Sequence, residues 1–290
     1  MRKRLRKALA EALPSVECTG VYSAFDLIGD IAIIKMPSDS SVDVGDVAEV
    51  IMKRHKNVKA VYAQKTAVQG DFRLRGLSHV AGEKRTCTVH RESGCSFKID
   101  IERCYFSPRL SGERMRIANL VQPGETVVNM FAGVGCFSIV IAKHVSETKI
   151  YSIDVNPDAW QFMVENVRLN RVYGNVVPVL SDAKTAIESR LLGCADRVLM
   201  PLPEKALEYL PLAVSTLKPR GGWVHVHAFK RASCVQTAAA NVKVKIAEAL
   251  RCARVNFEFG EVREVRSVGP NWFQIVADTH VLSLSSHLVS

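Results

Sequence analysis

The sequence predicts a doubly wound α/β domain preceded by a smaller α+β domain. From about residue 104 onward, short apolar runs alternate with helical patterns, which is typical of a mostly parallel sheet covered by helices on both faces. Before that point, strand and helix patterns follow one another without this alternation. The length of 290 residues, of which 48% are hydrophobic and 23% charged, suits two ordinary globular domains. We therefore expect domains over residues 1–103 and 104–290.

The smaller domain shows strand, helix and hairpin patterns. Gly29 interrupts the first strand, Pro37 ends it, and Gly94 marks the turn of the hairpin. The predicted elements are a strand over 25–37, a helix over 42–55, a strand over 58–63, and a hairpin with strands 86–90 and 96–100.

The larger domain alternates strands with helices and ends in two strands with no helix between them. This ending predicts an antiparallel hairpin at the edge of the sheet. The predicted strands are 126–130, 149–153, 175–180, 196–200 and 222–227, followed by 253–264 and 272–279. The predicted helices are 136–145, 157–170, 182–192, 203–217 and 230–250.

Composition narrows the classes of protein to consider. No apolar run reaches the roughly 20 residues that span a bilayer, and the basic start is not followed by the apolar stretch of a signal peptide. The eight cysteines form no C-x-x-C pair, so we expect reduced thiols, no zinc site and a cytoplasmic location. The net charge of +10 predicts a polyanionic partner, with nucleic acid the leading class.

The smaller domain holds a dense set of cations that suits RNA phosphates. Its members are Lys53, Arg54, His55, Lys56, Lys59, Lys65, Arg73, Arg75, Lys84, Arg85, Arg91 and Lys98. Contacts to phosphates position RNA without reading its bases. The alternative is that these charges only protect exposed strand edges.

In a doubly wound sheet, ligands bind outside the carboxyl ends of the strands. After the first strand of the larger domain, Gly133 and Gly135 allow a sharp turn and a close approach of backbone to ligand. Ser138 stands where a dinucleotide-binding glycine motif has glycine or alanine, which disfavours a pyrophosphate ligand.

The residues after the next three strands complete a candidate nucleoside pocket. Asp154 lies where a carboxylate takes both hydroxyls of a ribose, and Asp182 suits an adenine amine, although it also suits a helix N-cap. Pro201 and Pro203 lack N–H donors and leave carbonyl oxygens as acceptors for a base. Together with the glycine turn, this order of residues predicts an S-adenosylmethionine pocket in a Rossmann-like class I methyltransferase domain.

Several motifs resemble the archaeal and eukaryotic tRNA guanine-37 N1-methyltransferase family. In the larger domain they are Tyr105-Phe-Ser-Pro-Arg-Leu110 followed by Glu113-Arg114, Val128-Asn-Met-Phe-Ala-Gly-Val-Gly135, Ile153-Asp-Val-Asn-Pro157 and Arg197-Val-Leu-Met-Pro-Leu-Pro203. Residues 25–34 and 90–98 resemble the RNA-facing domain of that family. The resemblance implies methyl transfer from S-adenosylmethionine to N1 of guanosine 37, in the anticodon stem-loop of tRNA. We expect a monomer that needs neither a membrane nor a metal.

The resemblance also implies roles for individual residues. Arg109 would face guanine O6, with a purely structural arginine as the alternative, and the loop of Pro201 and Pro203 would receive the target base. Arg116 would lie near the cofactor carboxylate. The remaining cofactor-binding residues would be Phe131, Ala132, Gly133 and Gly135 at the methionine and ribose, Asp154 and Val155 at the ribose, and Asp182, Ala183 and Pro201 around the base.

Three features depart from the family pattern. Pro201 replaces the usual asparagine, which removes a side-chain amide from the target-base site, and Asn129 replaces an acidic residue, which predicts a weaker contact to the cofactor amine. The small N-terminal domain of longer members is not evident, so weaker checking of tRNA shape is expected. Removal of the N1 proton calls for a carboxylate base, and Glu113 and Glu165 are both candidates.

Other functions remain open from the sequence. The closest is the wybutosine-pathway enzyme that transfers an aminocarboxypropyl group from the same cofactor, which the motif Pro201-Leu-Pro203 disfavours. A non-catalytic RNA-binding module is another, and it would not bind S-adenosylmethionine. A dinucleotide oxidoreductase is disfavoured by the proline loop and the basic first domain.

Overall fold

The computed structural model of the protein describes Leu9, Glu11 and residues 25–36 and 42–284. The chain forms two compact units, one of residues 1–92 and 96–108, the other of residues 93–95 and 109–290. The second unit thus begins at Arg109 rather than at residue 104. The segment before it stays with the first unit because the Arg73 guanidinium lies 4.4 Å from the centre of the Tyr105 ring, and Arg75 donates to the Phe106 carbonyl at 3.3 Å.

The first unit is a four-stranded sheet with one helix and a hairpin. The strands β1 (Asp26–Ile28), β2 (Ile31–Ile34), β3 (Ala60–Gln64) and β4 (Leu77–Gly82) lie in that order, and β5 (Cys87–Glu92) pairs with β6 (Cys95–Asp100). Helix α1 (Val44–Arg54) connects β2 to β3, which pair in parallel.

Two details of the first unit differ from the prediction. Gly29, at φ 57°, forms a hairpin turn, so the single interrupted strand predicted over 25–37 is two antiparallel strands. Pro37, the predicted end of that strand, lies outside the described residues. Strand β4 was not predicted, because its residues are mostly half-buried and show no alternation of buried and exposed positions.

The core of the first unit forms between α1 and the sheet. Asp43 caps the helix by accepting from the Gly45 amide at 2.7 Å. Val47 and Ile51 on the buried face of α1 pack with Ile34 and Val61. The polar face of the helix is left to solvent, and several predicted RNA-binding cations lie there or beside it.

The second unit confirms the predicted doubly wound architecture. Its strands are β7 (Thr126–Asn129), β8 (Lys149–Asp154), β9 (Val176–Leu180), β10 (Arg197–Met200), β11 (Gly222–Arg231), β12 (Asn256–Gly269) and β13 (Trp272–Ser283). Its helices are α2 (Ser111–Leu120), α3 (Cys136–His144), α4 (Pro157–Leu169), α5 (Ala183–Arg190), α6 (Ala206–Thr216) and α7 (Val235–Cys252). A short 3-10 turn, Pro108–Leu110, precedes α2.

The sheet order is β12-β13-β11-β10-β7-β8-β9. Strands β7 to β11 are parallel, and β12 and β13 form the predicted antiparallel pair at one edge. Strand β11 extends to Arg231 because β13 pairs along its whole length, so α7 begins at Val235 rather than at residue 230. From β7 the polypeptide first forms β8 and β9 on one side of that strand, and it then crosses to form β10 on the other side of β7.

Helices cover both faces of this sheet. Helices α5, α6 and α7 bury one face in a core that includes Val128, Ile153 and Val198. Asn129 and Ser152 alternate with these residues and point to the other face, where both reach Ser138 of α3. Among the described residues, no helix combines the length and apolar character needed to cross a bilayer.

A layer of polar side chains is buried between α2 and the sheet. Its fully or almost fully buried members are Glu113, Arg197, His225, His227 and Asp278. Burial lowers the pKa of His227 to about 3, and the nearby Arg116 guanidinium acts in the same direction. Burial likewise lowers the pKa of His225 and outweighs the opposing effect of the Asp278 carboxylate.

Acidification below pH 6.5 is expected to destabilise the protein. The unfolded chain protonates His227 near its ordinary pKa of about 6.5, whereas the folded protein does not. The unfolded state therefore gains about 2 kcal/mol relative to the native state between pH 6.5 and pH 5 from this residue. Urea unfolding over that range should show a smaller pH dependence in His227→Asn than in the unmodified protein, and equal slopes would contradict the burial of a neutral histidine.

Candidate active site

The loop after β7 turns from one neighbouring strand to the other. The Met130 amide donates to the Leu199 carbonyl of β10 at 3.1 Å, and the Ala132 amide donates to the Ile153 carbonyl of β8 at 2.8 Å. Gly133 and Gly135 then adopt φ values of 56° and 90°, and Gly135 begins α3. The predicted sharp glycine turn is therefore present, with Phe131 and Gly133 half-buried and Ala132 buried.

The side chain of Asp154, at the end of β8, is hydrogen-bonded to the glycine loop. Its Oδ2 accepts from the Gly133 amide at 2.6 Å, and its Oδ1 accepts from the Asn156 amide at 2.9 Å. Burial raises the pKa of Asp154 above its usual value, although these backbone amides act in the opposite direction. A carboxylate offers about four acceptor positions, so the group can still accept from a ligand hydroxyl.

Asp182 follows β9 and contacts α6, the helix that comes after β10. It is the N-cap of α5, where its Oδ1 accepts from the Lys184 amide at 2.8 Å. Its Oδ2 accepts from the Tyr209 hydroxyl at 3.3 Å, and the Tyr209 ring meets the Phe131 ring edge-on at 5.4 Å. The structure thus brings the predicted residues Phe131 and Asp182 together through Tyr209 of α6. Ala183, the next residue, is buried within α5.

The two prolines and Val155 complete the carboxyl edge of the sheet. Pro201 directly follows β10 and is half-buried, whereas Pro203 is buried. Val155 follows Asp154 and is 47% exposed, an apolar surface beside the carboxylate. Asn129 is fully buried beneath this edge, where its amide donates to the Ser138 hydroxyl at 3.1 Å.

Arg109 is exposed on the 3-10 turn before α2. The direction of α2 shows which edge of the sheet that turn occupies. The last residue of α2, Leu120, accepts through its carbonyl from Arg197 at the amino end of β10. Glu113, near the start of α2, lies 3.9 Å from His227, which is level with the carboxyl end of β10. Arg109 therefore lies towards the carboxyl edge, where the glycine and proline loops also lie.

Arg116 and Glu113 belong to a set of ion pairs. Arg116 binds both carboxylate oxygens of Asp278 at 2.6 and 3.0 Å and both of Glu113 at 2.8 and 2.9 Å. Arg263 also donates to Glu113 at 2.8 Å. Arg116 thus holds two carboxylates, and its predicted contact with the cofactor carboxylate remains a prediction. Glu113 is buried as an acceptor of two arginines and Glu165 is half-buried on α4, and the choice of base between them stays a prediction.

A cavity of about 370 Å³ lies at the opposite, amino edge of the sheet. It is lined by residues before and at the starts of β7, β10 and β11, including Gly124, Asp196 and Trp223. Its position is the reverse of where ligands bind in doubly wound sheets. Within residues 25–36 and 42–284, no group of three or more histidine, cysteine or carboxylate side chains is arranged to hold a metal ion.

Comparison with known families agrees with this arrangement. Residues 88–255 match the TRM5/TYW2 methyltransferase domain, and residues 5–86 match the TYW2 N-terminal domain. The chain belongs to the TRM5/TYW2 family. The family resemblance indicated by the sequence motifs is confirmed.

Individual relatives within the TRM5/TYW2 family differ in their reactions. The chain is 44% identical over 207 residues to the tRNA (guanine(37)-N(1))-methyltransferase Trm5b of Pyrococcus abyssi, covering 71% of this chain and 60% of that protein. It is 36% identical over 259 residues to the tRNA 4-demethylwyosine(37)-methyltransferase Taw21 of Saccharolobus solfataricus, covering 89% and 94%. The chain thus spans about three fifths of the Trm5b relative and nearly all of the Taw21 relative.

Solved structures of TRM5/TYW2 proteins share the fold. A complex of aTrm5 with tRNALeu is 31% identical, with a TM-score of 0.81, and the match covers 96% of this chain and 78% of that chain. TYW2 of Pyrococcus horikoshii in complex with MeSAdo is 26% identical, with a TM-score of 0.76, covering 97% and 99%. The match therefore extends over both units of the described chain.

Tyr209 is the main site residue that sequence reasoning did not assign. Its position on a helical pattern suited an ordinary core residue, and only its contacts with Asp182 and Phe131 show that it faces the site. Burial raises the pKa of the Tyr209 hydroxyl, and the Asp182 carboxylate adds to the effect. One feature of the sequence could have indicated this role: Tyr209 lies one helical turn after the start of the helix that follows the proline loop.

Replacement of Gly135 by alanine is expected to destabilise the protein by about 1–3 kcal/mol. The new Cβ would lie 2.9 Å from Met163 Cγ, on a backbone with φ 90° that disfavours any side chain. Gly174→Ala is the matched control because nothing lies within 4 Å of the methyl group that it would add. Urea unfolding of both variants checks this prediction, which equal losses of stability would contradict.

Proposed function

We propose that the protein is an S-adenosylmethionine-dependent methyltransferase that modifies N1 of guanosine 37 in tRNA. The observation that carries the proposal is the meeting of Asp154, Asp182 and the glycine loop at the point where the strand order reverses. The Trm5b relative, which carries out this reaction by name, supports it. We also propose that the protein acts as a monomer in the cytoplasm and without a metal. The seven free cysteines among the described residues suit that reducing compartment.

The residues of the site suit an adenosyl cofactor. Ribose hydroxyls are donors, and the half-buried Asp154 is an acceptor already oriented by the Gly133 amide. Asp182 offers an acceptor to the adenine amine, and Phe131 and Val155 offer apolar surface to its ring. When bound, S-adenosylmethionine supplies an electrophilic methyl group on its sulfonium. The bound MeSAdo in the TYW2 structure is consistent with an adenosyl ligand in this fold.

The first unit offers a charged surface to the tRNA backbone. Some of its cations serve the protein itself, since Arg85 pairs with Asp30 and Glu83, and Arg54 with Glu11. The exposed ones suited to phosphates are Lys53, Lys56, Lys59, Lys65, Lys84, Arg91 and Lys98. Their contribution to binding should fall as salt concentration rises.

The proposed mechanism assigns charge stabilisation to Arg109. The target guanine must leave its stack, at a cost of a few kcal/mol, to reach the loop of Pro201 and Pro203. As N1 loses its proton to a carboxylate, for which Glu113 and Glu165 are the candidates, negative charge grows on O6. Arg109 would stabilise that charge through the N–H donors of its guanidinium. Alignment of N1 with the methyl group would supply much of the remaining rate.

Methyl transfer to 4-demethylwyosine 37 is a second candidate. Two observations favour it: the Taw21 relative matches this chain over nearly its whole length, and Pro201 offers no side-chain amide to a guanine edge. Aminocarboxypropyl transfer is a third outcome to be distinguished, since a relative with that name is 35% identical over 203 residues.

Mass spectrometry of digested tRNA separates these reactions. The protein is incubated with S-adenosylmethionine and either an unmodified transcript with guanosine at position 37 or tRNA carrying 4-demethylwyosine. A transcript with adenosine at position 37 is the control. We expect one added methyl group on guanosine from the guanosine-37 transcript and none from the control. A methyl or aminocarboxypropyl mass confined to the tricyclic base would contradict the main proposal and select one of the other two reactions.

Arg109→Ala is expected to lower the rate of methyl transfer by about 100- to 1000-fold, because one donor to a developing oxyanion is lost. Affinity for S-adenosylmethionine should stay within about twofold, since Arg109 is assigned to the base rather than to the cofactor. Single-turnover kinetics and calorimetric titration measure the two quantities. Equal losses in rate and cofactor affinity would remove Arg109 from its catalytic assignment.

A further inference from the structure

The buried polar layer of the second unit is one continuous chain of hydrogen bonds. Asp278 Oδ1 contacts His225 Nδ1 at 2.6 Å, and His225 Nε2 lies 2.7 Å from Arg197. Arg197 then binds both carboxylate oxygens of Glu125 at 2.7 and 3.0 Å. At the other end, Asp278 binds Arg116. These hydrogen bonds therefore cross from α2 through β13, β11 and β10 to Glu125, the residue before β7.

These hydrogen bonds hold helix α2 near both of its ends. Near its start, Arg116 and Glu113 are tied to Asp278 of β13 and to Arg263 of β12. At its last residue, the Leu120 carbonyl accepts from Arg197 at 2.9 Å. The two attachments share one imidazole, because His225 bridges Asp278 and Arg197. The position of the helix along its own axis is thus fixed by directional bonds at both ends.

His225 can bridge these partners in only one protonation state. The guanidinium of Arg197 is a donor, so His225 Nε2 must accept from it, and Nδ1 must then carry the proton donated to Asp278. An imidazolium would place two donors face to face at Nε2. The neutral Nδ1–H tautomer satisfies both neighbours, and burial keeps the pKa of His225 below its usual value.

A gain in folding stability does not by itself explain why so many charged side chains are buried here. Apolar residues of similar volume often hold a helix on a sheet as well as a buried ion pair does, or better. Apolar contacts, however, tolerate small slips, whereas bidentate arginine–carboxylate pairs fix orientation. The 3-10 turn that carries Arg109 runs directly into α2. A small shift of α2 would therefore move Arg109, and a displacement of about 1 Å at a reacting group can cost about 100-fold in rate.

We infer that Arg116 is a positioning residue, which with Asp278 and His225 fixes α2 and thereby holds Arg109 in register with the target base. This inference rests on the proposed function, because it assumes the catalytic role of Arg109. Arg116 would then affect the reaction through α2 and Arg109 rather than by contacting the cofactor.

The test compares Arg116→Met, Arg116→Lys and Asp278→Asn with a matched control, Arg220→Met. Arg220 also pairs with an aspartate, Asp196, but it is exposed and lies at the amino edge of the sheet. For each folded variant, we would measure hydrogen exchange in α2, affinity for S-adenosylmethionine by calorimetry, and single-turnover methyl transfer. Asp278→Asn is nearly isosteric and keeps the test available if Arg116→Met does not fold.

Arg116→Met and Asp278→Asn should raise exchange in α2 at least about tenfold and lower the methyl-transfer rate at least about tenfold, with cofactor affinity within about threefold of the unmodified protein. Arg116→Lys should fall between, because it keeps the charge without the bidentate geometry. Arg220→Met should match the unmodified protein in all three measurements.

Three results would overturn the inference. A loss of cofactor affinity as large as the loss of rate would make Arg116 a cofactor ligand. Unchanged exchange in α2 would show that the ion pairs do not hold the helix, and an unchanged rate despite faster exchange would separate α2 from Arg109. An unmodified protein that is inactive on every tRNA would instead contradict the proposed function, and the exchange measurement alone would then show whether the ion pairs hold α2.

Discussion

The reversal of strand order between β7 and β10 sets the path of the glycine loop, on which the proposed cofactor site depends. The two strands are neighbours in the sheet, but the chain leaves them in opposite directions. The loop after β7 must turn away from β10 towards β8, as the bonds of Met130 to Leu199 and of Ala132 to Ile153 demonstrate. That turn uses the backbone freedom of its glycines, and Asp154 and Asp182 lie at the carboxyl ends of β8 and β9, on the same edge of the sheet. The site therefore follows from topology before any side-chain chemistry is considered.

The buried ionic layer attaches α2, the helix that precedes the glycine loop in sequence, to the sheet. Arg116, Glu113 and Asp278 hold α2 on the opposite side of the sheet from the helices α5 to α7. Such a layer carries a cost in desolvation, and its charges need good geometry to offset it. The lowered pKa values of His225 and His227 show how the structure meets that demand, since the imidazoles stay neutral among the arginines.

Much of the fold could be predicted because the larger domain repeats a simple pattern. Alternating apolar strands and amphipathic helices predicted the succession of elements from β7 to β11, and the absence of a helix between β12 and β13 predicted their hairpin; α2 was not among the predicted helices. Strand β4 was missed because Leu77–Gly82 shows no alternation of buried and exposed residues. The contact-based division near Arg109, a few residues after the predicted boundary, depends on Tyr105 and Phe106, which are distant in sequence from their arginine partners.

The same distinction applies to the site. Gly133, Asp154 and Asp182 follow strands directly, so their positions could be predicted from strand ends alone. Tyr209 and the partners of Arg116 could not, since Asp278 is 162 residues away from Arg116 in the chain and nothing local marks the pair. Long-range polar contacts of this kind depend on helix direction and sheet register, which become known only when the fold is assembled.

A crystal structure with S-adenosylhomocysteine would show whether the cofactor binds at the carboxyl edge of the sheet. We expect a nucleoside there, with the ribose hydroxyls on Asp154, the adenine near Asp182 and Phe131, and the sulfur facing the loop of Pro201. A nucleoside bound instead in the cavity at the amino edge, beside Gly124, would contradict the proposed site, as would a folded protein that binds none.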